Sequence, residues 1–488
     1  MLWFRVRLHV CLAALITNTA SSSTSPNANR IFNAIHSSMR QWGSSLNHNG
    51  MSFFLASVPA GTQLYHGDFR SDPVKGPEWL AFEPEHALVF THPFPHQPPP
   101  PGEGHPPPQQ VFGKPDQLED GFLHSFAAAR DLRLLYIDGM SAAKTTNGTL
   151  DSQDRILFRS GQEDGGEGRL DDRKRAKLFC QMIRDRWHGR LDGMIRMEAG
   201  FEIVLCDFTR NLELLRVSRV RPSQEGSEDR TRDHAAKMWF PAAASRYWTI
   251  GGDRVRLNYD NFVTAYVYEL DLFPAGENVQ PRLDHLPFDE LEPMRQDLDA
   301  LILNHETIES STNWQAVADM VVERYGTRVR YLASGQASTL QQLQDEIENI
   351  VTPFIDYDNR NTSIEVERCS NQFVRRSMPV TSVAADAVFS VSRRICASLL
   401  EALHYTEYES VLDQIQDLAE WLSWTTWKDC NGCGDHEICL VPMWPLGTVE
   451  DYKHPRCRDV SQLEGEGPRY WGGHGFPRRP KPTDPQLL

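Results

Sequence analysis

The sequence predicts an α+β fold, on three observations. Compact apolar runs bracketed by polar residues, such as LRLLYID at 132–138 and GFEIVLCDF at 200–208, read as strands in the first half. Beyond Pro274 the apolar residues recur at the helical period, as in LQQLQDEIENIV and YESVLDQIQDLAEWL. The chain then passes into CNGCGDHEICLVPMWPLGTVEDYKHPRC, a stretch dense in cysteine. The expectation is an N-terminal mixed sheet with helices, a mainly helical C-terminal region and a disulfide-rich tail. The boundaries read as a leader at 1–20, an α+β domain at 21–91 and 111–275, a proline-rich insertion at 92–110, a helical region at 276–427 and the Cys-rich tail at 428–488.

The leader is read from charge and apolar patterning. Arg5 and Arg7 flank the apolar run Leu8 to Ile16, and Ala20 to Ser22 offers a small-residue cleavage zone. The run is too short to span a bilayer, and no later segment reads as a membrane helix. Setting aside Cys11 leaves an even set: Cys180, Cys206, Cys369, Cys396, Cys430, Cys433, Cys439 and Cys457. An even number in an exported chain points to disulfides. Asn147-Gly148-Thr149 and Asn361-Thr362-Ser363 are glycosylation sequons, compatible with the same route. The formal net charge of −16 argues against a nucleic-acid partner, because an acidic surface repels phosphate. The short basic runs Arg173-Lys174-Arg175 and Arg478-Arg479 read as solvated surface.

In chain order, residues 30–46 place Ile31, Ile35, Met39 and Trp42 on one helical face. LYHG at 64–67 and EWLA at 78–81 read as strands, and EPEHALVF as a short helix. The prolines of 92–110 exclude that stretch from helix and sheet ladders, so it reads as an exposed loop whose His92, His96 and His105 stay solvated. LRLLYID is a buried strand ending in an Asp-Gly turn. A helix from about Lys174 to Trp187 sets Leu178, Met182 and Ile183 inward. GFEIVLCDF is a central strand, with NLELLRVSRV at 211–220 as its neighbour. Gly251-Gly252-Asp253 supplies a turn before further strand-like runs.

Several residue patterns suit a chemistry and also a plainer explanation. The spacing Cys430-x2-Cys433-x5-Cys439-x17-Cys457 suits four thiolates on zinc, but an oxidising route favours two disulfides. Asp356, Asp358, Asn359 and Asn361 offer oxygens to calcium, yet lack the turn glycine and the bidentate Glu, so a loop at a helix end is preferred. G-x-S-x-G, H-E-x-x-H and Walker-type loops are missing from the sequence. Glu78, Glu83 and Glu85 offer carboxylates for glycoside chemistry, but a solvated strand–helix junction explains them.

LYHG, PEWLAFEPEHALVF, LRLLYIDGMSAAKT, GTLDSQD, IRMEAGFEIVLCDF and the tail cysteines together resemble an uncharacterised family of secreted fungal proteins that includes an expression-library immunisation antigen. This resemblance implies secretion and a fungal source, and brings no catalytic residues with it. Three of the segments, in order, also resemble the ADP-ribosyltransferase core. That likeness implies NAD as cofactor. Glu202 would be the catalytic carboxylate that steadies an oxocarbenium-like ribose. His66 would orient the distal ribose, and Trp79 or Phe82 would wall the nicotinamide. The sequence departs from that pattern at Ala81-Phe82, where a Ser or Tyr is expected, and in lacking a Glu two residues before Glu202. In the plainer alternative His66 is a satisfied core histidine, Trp79 and Phe82 are core, and Glu202 caps a turn or pairs with Arg196. Two readings therefore stand: a non-catalytic surface or cell-wall protein, and an NAD-cleaving enzyme.

Overall fold

The computed structural model describes residues 27–91, 121–145, 147–159, 172–220, 238–243, 253–274, 280–305, 310–374, 382–430, 432–444, 446–460 and 468–471. The leader, the proline-rich insertion, the turn glycines Gly251 and Gly252, and Arg478-Arg479 lie outside these residues. A nine-stranded sheet organises the first half. Its strands are β1 (Ser52–Val58), β2 (Gln63–Asp68), β3 (Glu78–Ala81), β4 (Gly121–Ala128), β5 (Leu132–Ile137), β6 (Gly193–Met197), β7 (Phe201–Leu205), β8 (Leu212–Val220) and β9 (Arg256–Thr264). They lie in the order β8-β4-β2-β3-β7-β6-β5-β1-β9. Neighbours are antiparallel except β5 and β6. A parallel pair demands a crossover, and the stretch between β5 and β6 supplies one that includes the helix α4 introduced below.

Both faces of the sheet are covered. One face carries Phe54, Tyr136, Phe262 and Tyr259, with Phe54 and Phe262 stacked 4.6 Å apart. The residues 30–46 that pattern as one helix form two, α1 (Ala28–Ser37) and α2 (Gln41–Leu46). The break has a backbone cause: Met39 sits at φ 52°, outside the helical region. Its N–H donates to the Tyr136 hydroxyl at 3.2 Å, which ties the break to the sheet. On the other face lie α3 (Pro84–Leu88) and α4 (Asp172–Asp185). Pro84 opens α3 at a position that needs no N–H.

Helix α4 corrects two sequence expectations. Its inner residues are Arg175, Ala176, Phe179, Cys180 and Ile183, while Leu178 is exposed and Met182 half-buried. Arg175 is not solvated surface. It is buried, with Nε and Nη2 donating to the two oxygens of Asp154 at 2.8 Å. Strand β8 is a further correction: it pairs with β4 at the sheet edge rather than with β7, because the short helix α5 (Phe208–Asn211) turns the chain away after β7.

The second half is mostly helical. Helices span Glu292–Asn304, Trp314–Ala333, Leu340–Val351, Thr362–Ser370, Val383–Ala402 and Tyr408–Leu422. Four begin at a polar side chain that accepts the third helical N–H: Asn313, Thr339, Asn361 and Ser382. Their inward stripes, such as Val321, Tyr325 and Val329, merge with the sheet side chains into one hydrophobic core. The tail adds the two-stranded ribbon β10 (Glu437–Leu440) and β11 (Arg456–Asp459). Among the described residues no helix is long and apolar enough to cross a membrane.

Candidate functional site on the central strands

The segments LYHG, EWLA and FEIVL become three adjacent strands, β2, β3 and β7. Their register fixes which side chains share a face. Tyr65 opposes Ala81, Ala81 opposes Glu202, and Glu202 opposes Arg196 on β6. Directly opposed residues in antiparallel strands project to the same side. Tyr65, Ala81, Glu202 and Arg196 therefore form one row on one face. Trp79, two residues before Ala81 and opposite Val204, shares that face and is half-buried.

His66 follows Tyr65 and points the other way. It opposes His124, its ring lies 6.0 Å from that ring and 5.9 Å from Phe208, and it is 8% exposed. Nδ1 donates to the Trp79 carbonyl oxygen at 2.6 Å. Burial holds the imidazole below its ordinary pKa, which keeps it neutral. Phe82 is 1% exposed and sealed in the main core. The structure thus brings Trp79 and Glu202 to one face, sets His66 on the opposite one and leaves Phe82 without an open surface. The His66 imidazole and the Glu202 carboxylate therefore project from opposite faces of the sheet.

Glu202 belongs instead to a buried ionic group. Arg196 Nε donates to Glu202 Oε1 at 2.7 Å and Nη1 donates to Gln153 Oε1 at 2.9 Å. Arg196 Nη2 lies 3.6 Å from Asp172 Oδ1 at the start of α4. Lys144 pairs with both Asp172 and Glu198, the latter at 3.2 Å. Burial pushes the Glu202 carboxyl up to about 7 against the pull of Arg196. It raises Glu198 also. Burial would raise Asp172 too, but Arg196 and Lys144 outweigh it and hold that carboxyl low. The group braces the β6–β7 hairpin against the first turn of α4. The pairing of Glu202 with Arg196 was legible as an i, i+6 hairpin contact. Lys144, Asp172 and Gln153 were not, because they reach the group through the crossover.

Nearby, His86 stacks on Trp239 at 4.4 Å beside Gly200, where a Cβ would strike the indole. Arg254 Nη2 donates to Glu83 Oε1 at 2.9 Å, so Glu83 is not free for glycoside chemistry. A cavity of about 420 Å3 lies elsewhere, beside β9, lined by residues including Tyr259, Asn313 and Gln315. None of His66, Trp79, Phe82 or Glu202 lines it. The acidic stretch at 356–361 is an exposed loop whose Asn361 caps the following helix.

The eight cysteines other than Cys11 pair: Cys180–Cys206, Cys369–Cys396, Cys430–Cys439 and Cys433–Cys457. The Cα–Cα distances of 5.3–5.9 Å suit disulfides.

A family model described as the YPL277C N-terminal domain matches residues 23–110 and 95–228, the stretch that builds most of the large sheet. Two Saccharomyces cerevisiae proteins are also similar to part of the chain. Uncharacterized protein YOR389W is 35% identical over 227 residues, covering 41% of this chain and 34% of that protein. Uncharacterized protein YPL277C is 34% identical over 228 residues, covering 41% and 44%. The matched stretch is less than half the length of either relative. These likenesses support kinship with an uncharacterised fungal family. No solved structure matches the chain.

Proposed function

We infer that the chain is an exported, disulfide-stapled fungal surface protein whose large sheet is a scaffold and not a catalytic centre. The observation that carries this reading is the pairing of eight cysteines into four bridges. Disulfides persist in oxidising compartments and are rare in reducing ones. Two further features agree with it. The Glu202 carboxylate is engaged by Arg196, and His66 spends its Nδ1 proton on a backbone carbonyl. Asn361 is exposed, whereas Asn147 Nδ2 donates to the Tyr470 carbonyl at 2.6 Å, so a glycan belongs on Asn361. The test is fractionation of a tagged chain in a fungal host with alkylation of free thiols before lysis. Recovery from wall or medium, with the eight paired cysteines escaping alkylation because they are held in disulfides, is expected. Cytosolic recovery with alkylated cysteines overturns the reading.

A second reading, NAD cleavage with Glu202 as the carboxylate and Trp79 as the aromatic wall, is favoured by one observation: the three matching segments occupy adjacent strands. In this reading His66 and Phe82 support the sheet from behind and do not touch the ligand. Nicotinamide release from NAD by the purified chain, abolished in Glu202→Gln, would establish it. Absence of release leaves the scaffold.

A further inference from the structure

We propose that the four tail cysteines form a zinc–thiolate site when their two bridges are reduced, so that disulfides close the tail under oxidising conditions and a divalent metal closes it under reducing ones. The inference is independent of export and of NAD chemistry. It rests on how four sulfurs converge. Cys430 and Cys433 flank Gly432, whose φ of 73° reverses the chain between them. Cys439 on β10 and Cys457 on β11 are cross-strand partners. Two ligands thus come from a tight loop and two from opposed positions of a ribbon. The sulfurs of Cys430, Cys433 and Cys439 all lie within 4.8 Å of one another. Cys457 is bonded to Cys433, so its sulfur joins the same group.

Zinc–sulfur bonds of about 2.3 Å set the sulfurs of a tetrahedral site about 3.8 Å apart. The three sulfurs already lie within 4.8 Å of one another, a range that includes that spacing. The polarity also suits a thiolate: the Cys430 N–H donates to Cys439 Sγ at 3.1 Å, and an amide donor stabilises charge on sulfur. Access favours the same four. The tail cysteines are half-buried, whereas Cys369 and Cys396 are fully buried beneath Tyr325. A soluble reductant therefore reaches the tail bridges more readily than Cys369–Cys396.

The chemistry balances. Two equivalents of a dithiol deliver two electrons and two protons to each bridge, giving four protein thiols and two oxidised dithiols. Metal binding then releases one proton from each thiol that ligates.

The test uses the full chain, reduced anaerobically, freed of reductant and titrated with Co2+. One cobalt per chain is expected, with the intense visible absorption of a tetrahedral thiolate complex, bleached by Zn2+. The same titration of the unreduced protein stays colourless. The double variant Cys433→Ser/Cys457→Ser, which keeps the Cys430–Cys439 bridge in its oxidised form, loses the absorption after reduction. Circular dichroism with and without Zn2+ accompanies each titration. A folded reduced chain without the cobalt spectrum, or a spectrum that persists in the double variant, overturns the proposal. So does a reduced chain that loses its structure and does not regain it with zinc.

Discussion

Replacing Arg196 by Met tests whether the ionic group braces the sheet. Arg196 is 1% exposed and serves three partners: Glu202 at 2.7 Å, Gln153 at 2.9 Å and Asp172 at 3.6 Å. Methionine fills much of the same volume and supplies no donor. Glu202 and Glu198 would then depend on Lys144 for positive charge, Asp172 would keep Lys144 and Arg175, and Gln153 Oε1 would lose the Arg196 donor. Removing one member of a buried pair costs about 3–5 kcal/mol, because the other charge stays buried without compensation. Glu202→Gln offers the contrast. Its amide oxygen still accepts from Arg196 Nε, and Arg196 keeps Asp172 as an anionic neighbour, so loss of the Glu202 charge forfeits little. A cost below about 1 kcal/mol is expected for an isosteric change that keeps the acceptor. Urea unfolding followed by tryptophan fluorescence and circular dichroism reads both, with the denaturant slope checked for constancy. Arg196→Met within about 1 kcal/mol of wild type, or Glu202→Gln as costly as Arg196→Met, refutes the bracing role.

Three other outcomes follow from local geometry. Asp138 accepts from the Ser52 N–H at 2.8 Å, and burial raises its carboxyl from 3.8 to about 7. The folded chain therefore holds an extra proton between those values. This contribution is complete below about pH 4 and is lost as pH rises through 7, at most about 4 kcal/mol across the window. Asp138→Asn keeps the acceptor and should flatten this part of the pH–melting profile; an unchanged slope contradicts it. Gly67→Ala should destabilise by about 1–3 kcal/mol, since a Cβ there meets the Ala87 carbonyl oxygen and must displace α3, as thermal melting would record. Opening Cys369–Cys396 by the double change to Ala removes a bridge of sequence separation 27. Loop entropy sets the cost at about 3.5 kcal/mol, readable as a lowered urea midpoint.

Much of the fold was legible because its signals are local. LRLLYID and GFEIVLCDF became β5 and β7 as apolar runs of strand length. The helices after Pro274 followed their period and their caps. What failed was set by tertiary choice. NLELLRVSRV reads as a strand, but nothing local says that it pairs with β4 and not β7. Leu178 reads as core by hydrophobicity, yet the buried position went to Arg175, whose partner Asp154 lies 21 residues earlier. Met39 fits the helical stripe of 30–46, and only its hydrogen bond to Tyr136 explains the break there. Of the site, the adjacency of β2, β3 and β7 was readable in the order of their motifs. The side each residue faces was not, since it depends on registers between strands far apart in sequence.

That facing is pinned by the packing on both faces of the sheet. A shift of one residue in β2 would carry His66 to the face of Glu202. Bulges in this sheet interrupt the β1–β9 and β4–β8 ladders, but the six successive pairs of β2 with β4 run without a shift. Slipping β2 would also expose Leu64 and drive Tyr65 among Phe126 and Phe208, while removing Gly67 from the place where only hydrogen fits against Ala87. At the other end, the hairpin between β6 and β7 fixes Glu202 opposite Arg196, with the Glu198 N–H bonded to the Gly200 carbonyl across its turn. Each strand is held by its own burial and its own close contact. The separation of imidazole from carboxylate is therefore built into the packing of both faces, and a ligand bridging them would have to break the sheet in order to bind.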